Sequence, residues 1–562
     1  MPTPFKPPTM RTHTSPSARS GPKTTTAALA LSAALLTGGW LPASAQAADP
    51  LVRTSSGPVQ GLVDDGVLTF RGIPYATAPR FMPPIEPAAW STPLAATQYG
   101  PICLQSGQNP FPGQAPKLPQ SDDCQNLNVW APAGKTAKKR AVMVWLHGGG
   151  FSAGSSMEAI SYEGKNLSKT GDVVVVSVNH RLNALGHLDL SAYGDAYKYS
   201  ANLGVMDLVA SLQWVRRNIG QFGGDPANVT VFGESGGGAK VLTLMATPAA
   251  RGLFQKAIVQ SGAVEQMGMN LTAPATGRRV AELTLQQLDI APGDVARLQA
   301  VPYPQLVEAT RKALKQTAEE RKLPAVLGSG YGLDWTPTMD GDYIPVQPAG
   351  QTFAAQSQSI PLLIGTNLNE WTTIGNLLNR DQIRADNKNT WSAEQVAAKL
   401  KERFGDQADA VTQAFLRAYP DKKPADALFV DTFLRVPALK TAGLKADQHG
   451  APVYTYVFSW ETPALGGVGM AYHTAEIPFV FNNIAITGAL TGNGPEAHTL
   501  AQRMSGAWVR FAKTGNPNGP GLPTWTPYTR ASGATMVFDN TVQVRHHHDR
   551  ELLKLLAPEP AH

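Results

Sequence analysis

The chain has 562 residues, of which 43% are hydrophobic and 16% charged, with a mean hydropathy of -0.17; this excludes a disordered or multi-span membrane protein and admits a large globular core. Of its net charge of +6, four positive charges are Lys6, Arg11, Arg19 and Lys23, all before the first acidic residue, Asp49, which leaves +2 for the remainder. So small a surplus, without a basic and aromatic patch, excludes nucleic acid as a partner.

The first segment has the order of a secretory leader: basic residues up to Lys23, an apolar run over 27–36, and small-residue sites over 43–47. The run is too short to span the roughly 30 Å of a bilayer's hydrocarbon, and no later segment is of spanning length. Residues 1–47 are therefore expected to be a cleaved signal peptide, and 48–562 a secreted or periplasmic product with no membrane span. In that compartment Cys103 and Cys124 are expected to form one disulfide, closing a Pro- and Gly-rich loop and contributing roughly 3 kcal/mol.

AVMVWL at 141–146 and DVVVVSV at 172–178 predict strands covered on both faces, because their apolar character is unbroken. MDLVASLQWVRRNI at 206–219 predicts a helix that ends at the Gly-Gly-Asp-Pro turn of 223–226. Further strands are predicted at 228–232, 256–260, 360–365 and 453–458. This alternation predicts an α/β fold with a large, mostly parallel central sheet and right-handed crossovers. Segments 271–327 and 391–444, rich in Ala, Gln, Glu, Lys and Leu, predict helical cap insertions within one domain.

Gly-x-Ser-x-Gly occurs twice, around Ser152 and Ser235. Ser235 directly follows the predicted strand 228–232 and precedes a helix-like stretch, AKVLTLMA at 239–246, which is the strand, sharp turn and helix that a nucleophile elbow requires. No strand immediately precedes Ser152, which reads as structural. His147-Gly148-Gly149-Gly150 closes the strand 141–146, and acyl transfer needs backbone N–H donors unobstructed by side chains. Gly149, Gly150 and Gly236 are therefore the candidate oxyanion-hole donors. No Lys-Ser/Thr follows the glycines, as a phosphate-binding loop needs.

Five ordered motifs, SDDCQNLNVW at 121–130, HGGGF at 147–151, the stretch 202–238, GTNLNE at 365–370 and WVRFAKTGNPN at 508–518, resemble the type-B carboxylesterase family. It includes cholinesterases, fungal lipases and bacterial para-nitrobenzyl esterases, and the chain looks most like the last. The resemblance implies an α/β-hydrolase fold and a triad of Ser235, Glu370 and His473. It also matches Glu234 and Ser261 to positions near the catalytic histidine, and pairs Arg80 with Asp122 and Arg181 with Asp207. Asp340 and Asp431 are weaker rivals for the acid. His147, His180, His187, His449 and His498 read as structural, and the His546-His547-His548 run as a solvated tail. No cofactor and no metal are expected.

Three departures qualify the resemblance. Gly236 stands where the family has Ala, which is expected to loosen the elbow; Thr474 follows the histidine where Gly or Ala is usual; and no Trp lies between the two cysteines, where cholinesterases hold a quaternary ammonium by cation–π attraction. The expected function is an exported serine carboxylester hydrolase acting on neutral, short- to medium-chain esters through an acyl-enzyme. A lipase for longer chains is the alternative, and so is a non-catalytic adhesion module on the same fold, against which the intact triad argues. The partner is a small-molecule ester, and the oligomeric state is left open.

Overall fold

The computed structural model describes residues 49–106, 117–134, 138–263, 270–324, 331–370 and 385–557. The expected leader, half of the loop between the cysteines and the end of the first predicted insertion lie outside them. The central sheet has 11 strands in these residues: β1 (Leu62–Asp64), β2 (Val67–Pro74), β3 (Asn126–Pro132), β4 (Arg140–Leu146), β5 (Val174–Val178), β6 (Gly224–Glu234), β7 (Lys256–Gln260), β8 (Leu362–Asn367), β9 (Val453–Phe458), β10 (Ala534–Phe538) and β11 (Gln543–His546). Their spatial order is β11-β10-β9-β8-β7-β6-β4-β5-β3-β2-β1. The six pairings from β5 to β10 are parallel, and the four at the two margins are antiparallel.

The principal helices are α1 (Leu203–Asn218), α2 (Gly236–Ala246), α3 (Pro274–Gln287), α4 (Tyr303–Glu320), α5 (Ala393–Phe404), α6 (Ala408–Ala418), α7 (Arg435–Ala446) and α8 (Pro495–Thr514). Two cores cover the sheet because side chains alternate across each strand. On β4, Val142, Val144 and Leu146 join the core containing Trp214 of α1, while Met143 and Trp145 join the one containing Trp508 of α8. Trp145 is fully buried, in edge-on contact with Tyr162, Phe232 and Phe481; truncating a core tryptophan of this kind costs about 3 to 5 kcal/mol.

The predicted central strands are present with ends shifted by a few residues, and β6 begins earlier, at Gly224. The predicted insertions hold α3 and α4 in the first and α5, α6 and α7 in the second. In the first, Val280, Leu283, Leu306 and Leu314 form a separate apolar cluster with Leu185 and Leu188. The histidine run differs from expectation. His546, exposed, ends the edge strand β11 and pairs with Ala534, while the His548 ring stands edge-on to Tyr419 at 5.3 Å, so the run is a strand end with one packed ring and not a free tail. Cys103 and Cys124 are disulfide-bonded, with Cα atoms 4.9 Å apart, and pack on Leu182. No helix among the described residues is long and apolar enough to cross a membrane.

Candidate active site

Parallel strands bring their following loops to one end of a sheet, and ligand sites form there. β4 and β6 pair Leu146 with Gly233, which sets the loop 147–150 beside the turn at Ser235. β6 and β7 pair Glu234 with Gln260, so Ser261 lies beside Ser235, and the Ser235 N–H donates to Gln260 O at 2.8 Å. β8 then delivers Glu370 to the same end. The Ser261 N–H donates to Gly365 O at 2.8 Å, tying the third loop to the second.

Ser235 has φ 56° and ψ -126°, a region that L side chains occupy only when the surroundings enforce it. It caps α2, whose first amides have no intrahelical acceptor. Gly149 and Gly150 take φ values of 76° and 61°. A Cβ on Gly236 would collide with the backbone of Gly150, so glycine here lets the glycine loop lie against the start of α2. Among the described residues the amides of Gly149 and Gly150 donate to no backbone oxygen.

His473 and Glu370, both fully buried, meet through Nδ1 and Oε2 at 2.6 Å, and the His473 N–H donates to Glu370 O at 2.8 Å. The other carboxylate oxygen, Oε1, accepts from Ser261 Oγ and from the Asn367 N–H, each at 2.7 Å. Ser261 thus reaches the site through Glu370. Glu234 lies on the other side of the imidazole, with Oε1 3.2 Å from His473 Nε2. The loop carrying His473 is strapped to β8 by Asn367 Nδ2, which donates to Tyr472 O at 2.8 Å and to Glu476 Oε2 at 2.7 Å. Gln260 extends the strap, donating to Glu476 and accepting from Trp508 Nε1. Thr474 takes φ 78°, which explains why glycine suits this position and threonine strains it.

The sequence matches the carboxylesterase family over residues 48–555. The chain belongs to that family. A para-nitrobenzyl esterase of Bacillus subtilis (strain 168) is 35% identical over 515 residues, covering 90% of this carboxylesterase and 98% of that protein. A human cocaine esterase is 32% identical, covering 85% of this chain and 86% of the other. Among solved structures, an esterase from Clostridium hathewayi that can hydrolyse aliphatic aromatic polyesters superposes with a TM-score of 0.80 at 37% identity, over 90% of this chain and 97% of that one. A para-nitrobenzyl esterase gives 0.68 at 33%, over 90% and 99%. The protein is a carboxylic ester hydrolase with the α/β-hydrolase fold.

The rivals named from sequence are occupied elsewhere. Ser152 Oγ donates to Asp334 Oδ1 at 2.8 Å. Asp340 accepts from the N–H groups of Asp342 and Ile344, and Asp431 accepts from those of Phe433, Leu434 and Arg435 at the start of α7. His498 bonds Asn493, and burial holds His147, His180 and His187 well below the ordinary imidazole range. The Arg80–Asp122 and Arg181–Asp207 ion pairs are present, each through two hydrogen bonds. Among the described residues no group of three or more His, Cys, Asp or Glu is arranged to hold a metal ion.

Burial is the main electrostatic influence. It pushes His473 down to about 4, with Glu476 and Asp431 opposing. It raises Glu370, against the pull of the Ser261 and Asn367 hydrogen bonds, and raises Glu234 further with the help of Glu476, Glu370 and Glu158. Sequence reading assigned nothing to Asn367, Gln260 and Glu476, although Gln260 adjoins Ser261 and the other two lie three residues from Glu370 and His473; their partners lie up to 248 residues away, and no local pattern marks them.

Proposed function

We propose that the protein is an exported serine carboxylester hydrolase that works through an acyl-enzyme on neutral, short- to medium-chain esters. The observation that carries this reading is the 2.6 Å contact of His473 Nδ1 with Glu370 Oε2, at the sheet end where the strained Ser235 faces the glycine loop. In it, Ser235 attacks the ester carbonyl and passes its proton to neutral His473, which returns it to the leaving alcohol; water then repeats the cycle on the acyl-enzyme. Glu370 holds the tautomer that carries the proton on Nδ1, Ser261 orients Glu370, and the amides of Gly149, Gly150 and Gly236 stabilise the oxyanion. Glu234 is a buried neighbour of the imidazole whose carboxyl burial holds well above the usual carboxylate range. Residues 1–47 serve as the signal peptide of a single catalytic domain with helical insertions, and the buried disulfide suits an oxidising compartment.

The substrate class follows from the absent tryptophan and from the small charge after the leader, neither of which favours a cation. Rates on an uncharged butyrate ester, butyrylcholine, emulsified triolein and an aliphatic aromatic polyester test it. The uncharged short ester is expected to give the highest kcat/KM, with a pre-steady-state burst of alcohol. A tenfold preference for the choline ester, or a jump in rate at the lipid interface, sinks the substrate assignment in favour of a cholinesterase or a lipase.

The pH dependence follows from His473. A base must be neutral to accept a proton, and a lowered pKa keeps it neutral further into acid. The acid limb of kcat/KM is therefore expected well below the ordinary histidine value of about 6.5, toward about 4, with the rate sustained into mild alkali. Rates from pH 3.5 to 9 on an uncharged ester check this; a limb centred at 6.5 or above would show that burial does not control the base.

A further inference from the structure

Lys240 lies on α2, five residues beyond Ser235, with none of its surface exposed. It is the single charged residue of an otherwise apolar and small helix, GGGAKVLTLMA, and an amine taken out of water is tolerated only where fixed polar atoms replace its hydration. Here they are two backbone oxygens of the candidate oxyanion loop: Nζ donates to His147 O at 2.8 Å and to Gly148 O at 3.2 Å. The Phe151 ring lies 5.8 Å from Nζ.

The direction of these bonds matters. In a trans peptide the C=O and the N–H point opposite ways. With Gly148 O held on Lys240, the N–H of Gly149, in the same peptide plane, turns away from Lys240 and from the body of α2. A run of three glycines has little torsional preference of its own, so the plane needs an anchor outside the loop. Gly236, whose missing side chain lets Gly150 rest on the helix start, provides the clearance that this approach requires. A cation on the carbonyl also polarises the peptide and makes its N–H a stronger donor.

We propose that Lys240 is a positioning residue for the oxyanion hole: by holding the carbonyl oxygens of His147 and Gly148, it fixes the start of the glycine loop and sets the peptide plane that presents the Gly149 N–H to the developing oxyanion. The proposal rests on the acyl-transfer reading above. Burial pushes Lys240 down to about 7, with Glu158 opposing. A neutral amine keeps two N–H donors for the two carbonyls, so the clamp survives deprotonation. Gly148 O also accepts from His147 Nδ1 at 3.0 Å, so the two side chains hold that carbonyl together, and burial first and the Lys240 charge second push His147 and His180 down.

The test uses the full chain with Lys240→Met, which fills the space and donates nothing, and Lys240→Gln, which keeps an amide donor on a shorter arm. Each is assayed on an uncharged p-nitrophenyl ester, normalised to active sites by the burst, and titrated with an alkyl trifluoromethyl ketone and its methyl ketone analogue. Only the first ketone adds to the serine and places an oxyanion in the hole. Lys240→Met is expected to lower kcat by on the order of 10- to 100-fold with KM within about threefold, and to weaken the trifluoromethyl ketone by a similar factor while sparing the methyl ketone. Lys240→Gln is expected to fall between it and the wild type. Wild-type kcat and trifluoromethyl ketone affinity in a folded variant overturn the proposal, as does equal weakening of both ketones. Failure of both variants to fold overturns it too, leaving Lys240 a role in stability alone. A wild-type protein without a burst overturns the acyl-enzyme reading and this proposal with it, whereas a normal wild-type burst with unaffected variants overturns this proposal only.

Discussion

Ser235→Ala is expected to lower turnover of a p-nitrophenyl ester by on the order of 10⁶, the scale of losing a triad nucleophile, while Ser152→Ala keeps activity within about fivefold. The two serines share a five-residue pattern but not a setting. Ser235 sits at φ 56°, between β6 and the start of α2, and its amide is pinned to Gln260 O. Ser152 belongs to the turn that closes the glycine loop, where the N–H groups of Ser152 and Ala153 both reach Gly149 O, and its hydroxyl is engaged by Asp334. Burial raises the Asp334 carboxyl against that same hydrogen bond. Removing the hydroxyl should therefore cost stability of about 1 kcal/mol, visible as a lower Tm. Initial rates and covalent labelling by a fluorophosphonate, followed by mass spectrometry, decide the matter. Label retained on the Ser235→Ala chain and lost from Ser152→Ala would reverse the assignment.

Glu370→Gln should cost on the order of 10⁴ in kcat, with folding unaffected, the loss that follows when the acid that selects the histidine tautomer is replaced by an amide. The amide oxygen can still accept one bond, but Ser261 Oγ and the Asn367 N–H already converge on one oxygen of Glu370. That leaves the amide nitrogen facing His473 Nδ1 and drives the imidazole to the wrong tautomer. Glu476→Gln is the control. Its carboxylate is buried nearby but accepts from Asn367 and Gln260, so its loss is expected to remain under about tenfold. Comparable losses in the two variants, measured per active site, would mean that the acid had been misassigned among the buried carboxylates.

Placing the acid was harder than placing the serine. Apolar runs such as 141–146 and 172–178 announce themselves because a parallel strand covered on both faces has no polar side, and the elbow is local in sequence. The marginal strands left no such trace. β3 carries two asparagines and a proline, and β10 and β11 are short segments near the end of the chain whose pairing with β9 and with each other depends on residues far away. Glu370 itself lies in a loop and became legible through the motif around it and its likeness to a family, not through any periodicity.

By itself, then, the amino-acid sequence determined the α/β alternation, the strand, turn and helix around Ser235 and the glycine loop, because each is written within a few residues of backbone propensity or motif; the expected order of serine, acid and histidine came from the likeness to a family. Only tertiary structure put Glu370 on Nδ1 of the imidazole and Glu234 beside Nε2, since Glu370 and His473 are 103 residues apart, and it engaged Asp431 with the amides at the start of α7. It also decided that Gly236 lies against Gly150, and that the Lys240 amine is held by two carbonyls of the glycine loop. These are properties of burial and of strand register. Both depend on which loops the parallel sheet carries to the same end, and neither leaves a mark in a run of ten residues.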